Sequence, residues 1–106
     1  MPDPFCMYYG GEFKKAYLNV GAPWAVCISP GPHQYLFSSN SNPSNDLDKG
    51  GEIYKLELNG TVVGKFGQAG KGSRDFGTVT GIDCRNPNSL YVAEFGNWRV
   101  TKVDLR

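Results

Sequence analysis

Three groups of residues have the types and spacing to do chemistry. Asp46, Asp48 and Glu57 stand at the first, third and twelfth places of a stretch with Gly51 sixth and Ile53 eighth. A calcium loop puts carboxylate oxygens and a sharply turning glycine at those places. The fifth place is Gly50, where such a loop uses Asp or Asn, and Glu57 belongs to an alternating stretch that already accounts for it. Asp46 and Asp48 are therefore expected in a solvated surface loop opened by Asn40, and calcium is the one cofactor they suggest. In the second group, Lys71, Arg74 and Asp75, Arg74 offers a bidentate fork for a carboxylate or other anion. The ordinary alternative for that group is a solvated connector. The third group is Glu94, Asn97, Trp98 and Arg99. An acid, an amide and a guanidinium this close can satisfy one another in a buried network. Trp98 beside Arg99 also brings together two side chains that dominate protein-binding hot spots.

Other chemistries have little to work with. The only histidine, His33, follows Pro30-Gly31-Pro32, and one histidine does not make a zinc site. No Ser or Cys has an evident base beside it. Gly70-Lys71-Gly72-Ser73 lacks the spacing of a phosphate-cradling loop. Cys6, Cys27 and Cys84 form no paired metal knuckle. Cys27 and Cys84 fall inside apolar strands and are expected as small buried thiols. A bridge between them depends on a Cα separation that sequence does not give. With 11 basic and 10 acidic side chains the net charge is +1, which gives no electrostatic case for nucleic acid or an anionic membrane. No apolar run approaches the roughly 18 residues of a spanning helix.

The elements that position these groups are short strands. Fourteen glycines and seven prolines punctuate apolar runs at regular intervals. Residues 25–29, 34–38, 52–58 and 61–66 read as four strands in simple succession. Ile53, Lys55 and Glu57 alternate with Tyr54, Leu56 and Leu58, and Asn59-Gly60 signals a type I′ hairpin. The order then repeats. Val26-Cys27-Ile28, the run from Tyr35 to Ser39 and the run from Ile53 to Leu58 return as Ile82-Asp83-Cys84, the run from Leu90 to Glu94 and the run from Val100 to Leu105. Residues 1–22 are a lead-in with a candidate strand at 13–20. Residues 23–76 form the first unit, and residues 77–106 form a second that lacks a fourth strand. Repeat units bury their apolar faces against neighbours. Two units are therefore expected to belong to something larger, either a longer chain or a ring of copies.

Phe66-Gly67-x-x-Gly70-x-Gly72-x-x-x-Phe76, then Leu90-Tyr91-Val92-Ala93-Glu94 and Asn97-Trp98-Arg99-Val100-x-Lys102, resembles the NHL-repeat β-propeller over residues 22–106. The resemblance implies an all-β fold of about two four-stranded blades from a six-bladed ring. Residues 13–20 would be a candidate closing strand, and a homotrimer would be expected if the chain closes by itself. It also implies that the loop ends form a binding face for a protein, peptide or small ligand, with Asn40, Asp46, Asp48, Arg74, Asn97 and Trp98 as candidates. Glu94 and Arg99 would be a structural network. A periplasmic or secreted location follows only from bacterial members of the family. The sequence departs from the pattern at Glu94 and Ser39, where an Asp is usual, and at Thr78-Val79, where a proline is common. Members similar to peptidyl-hydroxyglycine amidating lyases hold zinc with histidines on inner strands, where this chain has Trp24 and Thr80. A binding or scaffold module is the expected function. The alternative is the C-terminal part of a metal-dependent propeller enzyme, amidating-lyase-like or lactonase-like, with catalytic ligands outside this chain.

Overall fold

The computed structural model describes residues 5–9, 12–17, 21–40, 50–70 and 75–105. These residues form nine strands and no helix. Strands β1 (Phe5–Tyr9) and β2 (Glu12–Tyr17) make a hairpin. Strands β3 (Val26–Ile28), β4 (Tyr35–Ser39), β5 (Ile53–Glu57) and β6 (Val62–Phe66) make a four-stranded antiparallel meander. Strands β7 (Val79–Asn86), β8 (Ser89–Glu94) and β9 (Arg99–Asp104) make a three-stranded one. The candidate strand at 13–20 is the second arm of the lead-in hairpin. Its described part pairs with β1, and β9 has no strand on its outer edge among the described residues.

Alternation decides what each sheet buries. On the first sheet Tyr35, Phe37, Ile53 and Phe66 point one way, into a core shared with Val79, Cys84, Leu90 and Val92 of the second sheet. Leu36, Tyr54, Leu56 and Leu58 point the other way, where Tyr17 of the lead-in packs on them and donates its hydroxyl to Leu58 O at 2.5 Å. The central strand β4 is buried on both faces, which explains why it reads as a nearly continuous apolar run. Phe66 and Phe76 meet edge to face at 6.2 Å where the connector turns from one sheet to the other. Gly67 permits this approach. Its φ is +82°, and a Cβ there would fall 2.2 Å from the Phe76 ring.

Cys27 and Cys84 are not separate thiols. They are joined by a disulfide across the two sheets, with Cα atoms 6.1 Å apart, because β3 and β7 lie side by side at this interface.

The hairpin at Asn59-Gly60 forms where the sequence signals it, but as a different turn. Only Gly60 has positive φ, at +97°. Gly60 N donates to Glu57 O and Glu57 N to Thr61 O, which leaves Leu58, Asn59 and Gly60 as a three-residue loop. A turn closed by a left-handed glycine gives this geometry, and the Asn59 side chain accepts from Thr61 N.

The alignment of the repeats also changes. Ile28 faces away from the second sheet, whereas its counterpart Cys84 faces the first. Ile53 faces the second sheet, whereas its counterpart Val100 faces away and is exposed. The strands of one sheet must turn their faces together, so the middle strand has to follow. Phe37 and Val92 both point into the shared core and cannot correspond. A shift of one residue restores consistency and matches Tyr35 with Tyr91, Leu36 with Val92 and Ser38 with Glu94.

Candidate binding site at the loop end

Four segments meet at one end of the two sheets, namely the lead-in before β3, the β4–β5 loop, the β6–β7 connector and the β8–β9 turn. Asn40 joins the first two. Its Oδ1 accepts from Ala22 N at 2.9 Å, its Nδ2 donates to Glu52 Oε2 at 2.6 Å, and its backbone pairs with Gly51 and Glu52. Gly51 lies against the connector, where a Cβ would be 2.7 Å from Ala69 N, and its φ is +87°. Asn97 ties the turn to the connector by donating to Gly70 O at 2.8 Å. Ser39 Oγ accepts from Ala25 N at 2.9 Å and so pins the lead-in.

Glu94 organises the second sheet's end of this cluster. It is buried, yet its carboxylate accepts from Arg99 Nε at 2.9 Å, Arg99 Nη2 at 3.2 Å, Asn97 Nδ2 at 3.0 Å, Gly77 N at 3.1 Å and the Thr101 hydroxyl. Arg99 also reaches Asp75 O at 2.9 Å. Burial pushes the Glu94 pKa up. The hydrogen bonds from Arg99, Thr101, Asn97 and Gly77 outweigh it, and the carboxyl ends below its ordinary value. The Arg99 pKa is raised, chiefly by its hydrogen bond to Glu94. The matching position in the first sheet is Ser38, buried with no partner for its hydroxyl among the described residues. Among the described residues the first sheet has no counterpart of this carboxylate network at Ser38.

The sequence candidates separate into distinct roles. Asn40, Asn97, Glu94 and Arg99 are drawn to the loop end and spend their hydrogen bonds on holding its segments together. Trp98 does the opposite. It is 85% exposed, sits beside Phe95 with ring centroids 5.5 Å apart, and has a left-handed φ of +52°. A bulky residue is disfavoured in that conformation. Phe95, a loop residue by sequence, is the member of the site that sequence reading did not single out, since its pairing with Trp98 is set by the turn. Phe95 and Trp98 flank a shallow depression of about 360 Å³ lined also by Thr80, Ala93 and Val100. Asp46, Asp48 and Arg74 lie outside the described residues. Among the described residues no three acidic, histidine or cysteine side chains gather as metal ligands. His33 lies at the opposite end of the first sheet, stacked on Tyr35 and bonded to Glu57 at 2.6 Å. No protein-family model, curated protein or solved structure matches the chain.

Proposed function

We propose that the chain is a pair of units of an NHL-type β-propeller, acting as a binding or scaffold module whose loop end takes a protein or peptide segment. The observation that carries this reading is Trp98, presented to solvent in a conformation that costs free energy. Strain kept at an exposed aromatic side chain is a mark of function rather than of packing. The polar residues behind it are already satisfied within the chain, so the Phe95–Trp98 pair is the outward-facing part of the site. Aromatic anchors of this kind supply most of the binding energy at protein interfaces. The succession of meanders joined by a glycine-rich connector supports the propeller reading. The Cys27–Cys84 bridge supports an oxidising compartment, outside the cytosol.

A displayed library of random peptides selected on the immobilised protein tests this function. Selected peptides are expected to bind Trp98→Gly at least about tenfold more weakly, a loss of about 1.4 kcal/mol. The variant itself should be as stable as the parent or more so, because glycine adopts the Trp98 conformation without strain. Failure to enrich any peptide, or equal binding to parent and variant, contradicts the reading.

A further inference from the structure

The face of the second sheet that points away from the first carries Tyr91, Ala93, Val100 and Lys102, with Phe95 and Trp98 at its loop-end rim. Tyr91, Val100 and Trp98 are exposed. With the repeats aligned as above, Tyr91 matches Tyr35, Val100 matches Ile53, Lys102 matches Lys55 and Asp104 matches Glu57. In the first sheet that set lies on the inner face, where Ile53 is fully buried and Tyr35 partly buried in the core shared with the second sheet, and Lys55 Nζ lies 4.1 Å from the centre of the Tyr35 ring. The outer face of the second sheet thus carries residues matching those of an interface surface, and Tyr91 and Val100 on it are exposed, with no other element packed on it among the described residues.

The converse holds at the other end of the stack. The outer face of the first sheet carries Val26, Ile28, Leu36, Leu56 and Leu58. These match Ile82, Cys84, Val92, Val103 and Leu105, which form the second sheet's side of the shared core. Among the described residues, Tyr17 packs on Leu36 and Leu56 in the middle of that face. Val26, Ile28 and Val62 stay exposed around it. One surface therefore resembles each half of the sheet-to-sheet interface already present in the chain, and the two surfaces lie at opposite ends of the stack.

We infer that these two surfaces bind each other between copies, so that the second sheet of one copy stacks on the first sheet of the next. The contact continues the intrachain stacking. It is heterologous, since each copy uses a different surface toward each neighbour, and such contacts close into rings or grow as filaments. The contact would cover the depression beside Phe95 and Trp98, so a peptide held there competes with it.

The test uses two surface variants, each of which spoils one half. Val100→Glu puts a charge on the outer face of the second sheet, and Ile28→Glu puts one on the outer face of the first. Both side chains are exposed, at 68% and 40%, and circular dichroism should show both variants folded like the parent. By light scattering, the parent is expected to gain mass with concentration and each variant to keep the mass of one chain. An equimolar mixture of the two variants should form a one-to-one dimer, because each retains the half the other lacks. A parent that stays at one chain up to about 1 mM, the weak end of specific association, overturns the inference. So does association that survives either substitution, or a mixture that does not pair.

Discussion

Replacing Cys27 and Cys84 together by alanine lowers the unfolding free energy by about 4 kcal/mol. The bridge closes a loop of 57 positions. In the chain-entropy account, a cross-link of that span removes about that much conformational freedom from the unfolded chain. The loss is large against the total stability of a domain, typically 5–15 kcal/mol. The bridge matters more here than in an ordinary domain, because the two sheets share one core through a single connector. Urea unfolding of the parent with and without reductant, beside the double variant, measures the effect. The reduced parent and the variant should unfold together, well below the oxidised parent. Coincidence of all three curves would mean that the bridge does not hold the sheets.

Glu94→Ala costs about 3 kcal/mol. It leaves Arg99, Asn97, Thr101 and Gly77 without their shared acceptor, and removing one partner of a buried charge pair costs about 3–5 kcal/mol. The lower end applies because the Arg99 side chain is 31% exposed and keeps its bond to Asp75 O. The pH dependence has a definite sign. The folded-state pKa of Glu94 is depressed, so its contribution is fully present above the unfolded carboxyl value, about 4.3, and is lost as pH falls through the folded value. The parent should lose stability over that acid range more steeply than Glu94→Ala. Parallel pH profiles for the two proteins would show that the carboxylate is not held by this network.

Much of the fold is readable from period-two patterning. Residues 53–58 alternate because the two faces of β5 meet different cores, one shared with the second sheet and one under Tyr17. The Asn-Gly pair marks the hairpin correctly. Its turn type escapes sequence reading because Leu58 joins the loop, a choice made by pairing register. The disulfide was hidden for a related reason. Whether Cys27 meets Cys84 depends on how two sheets stack, and no local pattern reports that distance. The phase of the middle strand is ambiguous because Tyr35-Leu36-Phe37 and Leu90-Tyr91-Val92 are apolar at every position. Only their facing in the structure separates them. The lead-in hairpin was half seen, since residues 5–9 show no clear alternation.

The residue types of the candidate site are legible in the sequence, and their hydrogen bonds are not. Glu94 accepts from Arg99, Asn97, Thr101 and Gly77. Asn40 and Asn97, expected as ligand contacts, hydrogen-bond to neighbouring backbone and side chains and hold the loops. That distinction rests on who satisfies whose hydrogen bonds, which spacing alone does not reveal. Trp98 is a candidate by residue type, and its exposure and left-handed backbone are what the sequence does not show.

The stacking of two repeat sheets through β3 and β7 underlies the shared core, the corrected repeat alignment and the matched outer faces. Peptide mapping of the unreduced protein after trypsin tests it most directly. The account predicts a cross-linked pair made of residues 16–49 and residues 75–85, carrying Cys27 and Cys84. Recovery of either cysteine as a free thiol, or bridged to Cys6, would contradict it.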